Sequence, residues 1–208
     1  MIPFHDLWPI LVGWAIAVGS PGPAVLAIVG AAMGGGRGNG LALAIGVWVG
    51  SLIWAVVAGL GLSAAMLAHV WLITALRYAG AAYLLFLALK SARVALSKGE
   101  ARVRAVQEPL RLSWLRGFTI HLTNPKAILF WGSLYAVIIP PGSEPIALLQ
   151  VGASCLAVSF AVMCLMALAF STRIIARGYL NAHRVFEAAF AALFGYAALK
   201  VLTAKVVA

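Results

Sequence analysis

Long runs without a charge, separated by short clusters of basic or turn-forming residues, dominate this chain. Six apolar segments emerge, at about 7–33, 41–65, 71–89, 115–139, 146–170 and 185–203. Each is long enough for a helix to cross a hydrocarbon layer, which takes roughly 17–25 residues. Between residues 41 and 89 the only basic or acidic side chains are His69 and Arg77. One helix over that stretch would run about 73 Å, more than twice the hydrocarbon thickness, so the chain turns back near 67–71. Nothing alternates with a period of two. Backbone groups in lipid must be satisfied internally, so the pattern predicts an all-α membrane protein, a helical bundle rather than a barrel.

Composition narrows the class further. The chain has 208 residues, 64% of them apolar and only 10% charged, with a mean hydropathy of +1.04. Soluble domains carry about 25% charged residues. A soluble enzyme, a nucleic-acid binder, a disulfide scaffold and a disordered chain all fit poorly. The net charge of +10 does not point to nucleic acid, because the basic residues sit between the apolar runs. Cys155 and Cys164 fall in one apolar run. In a helix they would be about 13 Å apart on opposite faces, so they are expected neither to pair nor to ligate metal. The N-terminus lacks the positive region of a signal peptide, and the first apolar run is read as a mature span.

Basic residues also set the expected orientation. Arg37, then Lys90, Arg93, Lys98, Arg102, Arg104, Arg111 and Arg116, then Arg173, Arg177 and Arg184, occupy the 1–2, 3–4 and 5–6 connections. Cytoplasmic loops carry the Lys/Arg excess, so these connections face the cytoplasm and both termini face outward. The opposite side holds Asp6 and the Pro140-Pro-Gly-Ser-Glu144 turn. Lys200 and Lys205 run against the trend and are outweighed.

Two of the six helices are interrupted. Gly19-Ser20-Pro21-Gly22-Pro23 breaks helix 1, and Thr123-Asn124-Pro125-Lys126 breaks helix 4. Proline removes a backbone donor and forces the preceding residue out of helical geometry. Pro21 and Pro125 are half a chain length apart, and each broken helix precedes two unbroken ones. The chain thus reads as a single transmembrane domain, 1–208, made of two three-helix repeats. Repeat one covers about 1–95, a basic loop about 90–116, and repeat two about 110–208. An odd number of crossings inverts the second copy. Paired breaks in inverted halves are the sequence pointer to a transporter's binding site. Half-helix N-termini near Ala24 and Lys126 are each expected to hold a carboxylate. Carbonyls near 18–19 and 121–123 suit an ammonium group.

Pro21, Gly22, Pro23, Asn124, Pro125 and Lys126 are therefore the expected substrate-binding residues. A lysine near mid-span costs at least about 2.5–3.5 kcal/mol and normally faces a cavity or a partner. Snorkelling, or bonding orphan carbonyls, is the plainer alternative. His121, five residues earlier, can face the same cavity. Gly30/Gly34, Gly36/Gly40 and Gly46/Gly50 have the small-xxx-small spacing of close helix contacts. The run Gly34-Gly-Gly-Arg-Gly-Asn-Gly40 lacks the strand and the Lys-Ser/Thr of a phosphate loop. Gly50-Ser51 has no histidine partner for a protease. The tryptophans are expected mainly at the membrane interfaces.

Ser20-Pro-Gly-Pro23, the glycine series 36, 40, 46 and 50, and Arg77-Tyr-Ala-Gly-Ala-Ala-Tyr-Leu84 form one set. Leu115-Arg-Gly-Phe118 leading into Asn124-Pro-Lys-Ala127 completes it. In this order the chain resembles the lysine exporter (LysE/RhtB) superfamily over nearly its whole length. The resemblance implies a six-helix exporter of the bacterial cytoplasmic membrane, driven by the proton gradient and carrying amino acids or close analogues. It implies no enzyme activity, no cofactor and no metal. Many relatives have an aspartate where this chain has Ser51, so proton coupling through a second-helix carboxylate is excluded. His121 and Glu187, the latter at the expected start of helix 6, are the remaining candidates for proton coupling. The missing carboxylate favours a neutral amino acid over a cationic one. Export of a metal ion or small toxic compound, or a non-transport membrane subunit, are the alternatives. Expected partners are the amino acid and membrane lipid, with no nucleic acid; a homo-oligomer is left open.

Overall fold

A computed structural model of the chain describes residues 3–62, 70–97, 108–135 and 144–203. Seven helices account for nearly all of them: α1 Phe4–Gly19, α2 Pro23–Val57, α3 Val70–Leu96, α4 Leu110–Leu122, α5 Pro125–Ser133, α6 Pro145–Phe170 and α7 Arg173–Thr203. A π-helical turn, Ala58–Leu62, extends α2. Among the described residues, three stretches are long and apolar enough to cross a membrane unaided: Pro23–Gly61, Tyr78–Leu96 and Pro145–Phe170. The expected turn at 67–71 begins outside the described residues, as do the end of the fourth apolar segment and most of the basic loop.

Both expected interruptions are present. Ser20 is extended (φ −71°, ψ 147°) at the end of α1, and Gly22 is extended ahead of Pro23. Thr123 and Asn124 separate α4 from α5. The expected loop at 34–40 is far tighter than the sequence suggested. Helical geometry runs to its edges, and the chain reverses at Gly36 (φ 74°, ψ −167°). That region of backbone space is essentially restricted to glycine. Reversal follows from the contacts, since a Cβ on Gly40 would lie 2.9 Å from the Ala32 Cβ. In a straight helix residues eight apart are about 12 Å apart. The two limbs of α2 therefore form a hairpin, the first completing the broken helix that α1 begins.

Three helices outrun their apolar segments. α3 continues to Leu96, α4 starts at Leu110, and α7 starts at Arg173 rather than near residue 185. The added turns are rich in Arg, Lys, Leu and Ala, which favour helix whether or not lipid surrounds them. Arg173, Arg177 and Arg184 thus lie on α7 instead of in a loop. Arg184 donates to the Ala95 carbonyl at the end of α3, 2.9 Å away.

α2 packs on α4 and α6, α3 on α7, and α1 on α6. Glycines set the closest approach. A Cβ on Gly46 would collide with the Trp114 carbonyl, and one on Gly117 with the Leu43 carbonyl. The helix backbones of α2 and α4 touch there, as small residues allow in membranes. Polar side chains share the interior with the apolar core, and large apolar ones face outward. Ser20, Ser51, Ser113, Ser159, Asn124 and Lys126 are buried, while Leu60, Leu89, Leu149, Leu165 and Leu199 lie exposed along the outside. An apolar exterior this extensive suits lipid rather than water.

Candidate substrate site

The two breaks meet. α5 starts at Pro125, whose missing N–H costs nothing in a first helical turn, and this places Lys126 facing the end of α1. The Lys126 ammonium donates to the Ser20 carbonyl at 3.0 Å and to the Ser20 hydroxyl. Ser20 Oγ in turn donates to the Ala17 carbonyl at 2.6 Å, so its lone pairs are free for the lysine. Lys126 is only 8% exposed and Ser20 fully buried. The ammonium also lies 5.8 Å and 5.9 Å from the ring centroids of Phe130 and Phe194. Orphan carbonyls at a helix C-terminus carry partial negative charge. Lys126 supplies the cation they favour, across to the other broken helix rather than back along its own.

A small cavity of about 50 Å³ lies beside this bridge. Its wall includes Gly22, Asn124 and Lys126 from the breaks, with His121, Ser51, Phe130, Trp14 and Trp131. Of the expected site residues, Gly22, Asn124 and Lys126 line the cavity. Pro21, Pro23 and Pro125 shape the turns and do not contribute to its wall. His121 faces it too, with both ring nitrogens buried and unpartnered, against Gly50 of α2, where a Cβ would lie 3.0 Å from the His121 Cβ. Glu187 is buried on α7, well inside that helix, and is not part of the wall.

The half-helix N-termini are not equivalent. The Asn124 side chain accepts from the Lys126 backbone N–H at 3.1 Å and caps α5. α2 has no side-chain cap, which leaves the donors of its first turn without one beside the cavity. The expectation that each end holds a carboxylate is corrected at α5, whose donor is already taken by Asn124.

Several residues escaped the sequence reading. Trp14 and Trp131 meet edge-on over the cavity, with ring centroids 4.6 Å apart. Trp14 Nε1 donates to Ser159 Oγ at 2.8 Å, and Trp131 Nε1 to Ser51 Oγ at 2.9 Å. Trp48 Nε1 donates to the Leu156 carbonyl. Trp8 is exposed as an interfacial residue would be, but Trp14 and Trp131 are buried. Their position seven or more residues inside an apolar run was the available signal. Ser51 faces the cavity. Cys155 and Cys164 are both free. Among the described residues, no three His, Cys, Asp or Glu side chains lie together as a metal set.

A leucine efflux protein of Salmonella typhimurium is 36% identical over 135 residues, 64% of this chain and 63% of its own length. A threonine efflux protein of Escherichia coli is 31% identical over 127 residues, 60% of this chain and 62% of its own. An uncharacterized membrane protein of Pseudomonas aeruginosa is 30% identical over 145 residues, 66% of this chain and 65% of its own. The matched region thus spans just under two thirds of these relatives. No solved structure matches. The family profile of LysE type translocators matches residues 15–205, nearly the whole chain, and the protein belongs to that family.

Proposed function

We propose that this chain exports amino acids or close analogues across a bacterial cytoplasmic membrane, as a proton-driven secondary transporter working by alternating access. Its six crossings form two inverted three-helix repeats, with the connections rich in arginine facing the cytoplasm. The observation that carries the reading is the Lys126–Ser20 bridge, which joins the two broken helices beside a buried cavity. Relatives named for leucine and threonine efflux supply the substrate class. Pro21, Gly22, Pro23, Asn124, Pro125 and Lys126 build the site. The uncapped start of α2 receives the substrate carboxylate, and the Ser20 oxygens receive its ammonium group. The apolar wall of Trp14, Ile28, Phe130 and Met163 accommodates an uncharged side chain.

Intracellular and extracellular amino-acid pools, compared between deletion and overexpressing cells, test this reading. Overexpression is expected to shift a neutral amino acid outward and to confer resistance to its toxic analogues. Lys126→Ala is expected to abolish that shift at an unchanged level of protein in the membrane. Unaltered pools in overexpressing cells would refute amino-acid export.

A further inference from the structure

We infer that the Lys126 ammonium and the ammonium of the transported amino acid take turns on the Ser20 oxygens, which makes Lys126 the proton-carrying group. This rests on the export reading above. The seat offers a carbonyl at the end of a half-helix and a hydroxyl whose own proton is committed to Ala17. That suits one ammonium ion. No carboxylate lies in the cavity wall, so no protein group offsets the repulsion between two ammonium ions sharing the Ser20 oxygens.

The exchange balances. On the cytoplasmic side Lys126 gives one proton to water, and its neutral amine leaves Ser20. The substrate ammonium takes the vacated oxygens, with its carboxylate a few ångströms away on the open start of α2. After release outside, Lys126 takes a proton from external water and returns to Ser20. One zwitterion leaves for each proton that enters.

Few other titratable groups surround Lys126 among the described residues. α1 and α2 place none in the cavity wall, and α4 places His121. Cys155 of α6 and Tyr135, just past the end of α5, belong to the apolar cluster that contains Trp131. α3 contributes Tyr83, packed with Phe194 of α7. Glu187 of α7 is two turns from Phe194, about 10 Å along the helix.

Reconstitution of the full chain in proteoliposomes, with radiolabelled L-leucine and L-threonine, tests the exchange. In the wild type, acidification is expected to raise the apparent KM for counterflow by up to about tenfold per pH unit, because proton and substrate compete. Lys126→Gln is expected to flatten that dependence and to cut pH-gradient-driven movement at least about tenfold. Lys126→Arg, charged throughout, is expected to abolish counterflow. A Lys126→Gln protein that keeps the wild-type pH profile would overturn the inference, as would transport by Lys126→Arg. A profile flattened by His121→Gln but not by Lys126→Gln would also overturn it by moving the role to the histidine. If the wild type moves neither amino acid, the export reading falls and takes this inference with it.

Discussion

Lys126 offsets its cost of insertion with two bonds to Ser20 and two aromatic faces, all of them uncharged. A hydrogen bond to a charged group contributes about 1.5–3 kcal/mol. Ser20→Ala deletes the hydroxyl and leaves the carbonyl, so the melting temperature of the solubilised protein is expected to fall. An unchanged melting temperature would show that the hydroxyl bond holds nothing together. Gly22→Ala probes the space beside the same amine. Gly22 has φ −173°, which any residue adopts, and the new methyl would lie 3.5 Å from Lys126 Cδ and 3.7 Å from Nζ. Membrane levels are expected to hold while leucine counterflow falls several-fold, because the methyl blocks withdrawal of the amine. The prolines and the lysine were legible in the sequence because such residues are rare inside apolar runs. Ser20 as partner was not, since a serine in a span commonly bonds its own helix. The Trp14–Ser159 and Trp131–Ser51 bonds join residues 145 and 80 positions apart, and no local pattern encodes such pairs.

Helices and their joints answer to glycine. Gly36 holds a backbone conformation that costs other residues about 1–3 kcal/mol. Gly46 and Gly117 let backbones touch, and overpacking such a contact costs typically 1–3 kcal/mol. Gly36→Ala and Gly46→Ala are therefore each expected to lower the melting temperature and the membrane level. Gly178, in α7, has nothing within 4 Å of its added Cβ, so Gly178→Ala is expected to be neutral or to stabilise by up to about 1 kcal/mol. Equal losses from all three would refute the contact argument. Beside the Gly36 reversal, the Asn39 side chain donates to the Glu108 carbonyl and, at 3.0 Å, to Ser113 Oγ. Ser113 donates to the Glu108 carboxylate, which also meets Arg116 at 3.6 Å. This latch ties the α2 hairpin to the start of α4. Apolar runs located the helices, whereas α3, α4 and α7 extend into polar sequence that hydropathy does not mark. The Asn39 latch was likewise hidden, because its residues fell in what read as loop.

Across the whole molecule, two apolar clusters contribute to the cavity wall. One gathers Leu7, Trp14, Trp131, Tyr135 and Val151, and the other Ile28, Ala31, Leu43, Val47 and Ala167. Val18, just before the first break, packs against both. In the proposed alternating-access cycle, these clusters would part in turn to open the site to one side at a time. The charge carried through that cycle follows from the Lys126 exchange. Under the proposed exchange the outward step would carry a zwitterion with Lys126 neutral, and the return step would carry the lysine charge inward. Each cycle would then move one positive charge into the cell. A charge crossing the membrane potential gains about 2.3 kcal/mol per 100 mV, equivalent to roughly a fiftyfold concentration ratio. In vesicles with no pH gradient, a potassium diffusion potential that drives positive charge across in the return direction should alone move leucine uphill the other way. Reversing the potential should reverse that movement. An electroneutral response, blind to the sign of the potential, would mean that a second charge travels with the substrate. Lys126 would then stay charged in both directions of the cycle and would not be the proton carrier.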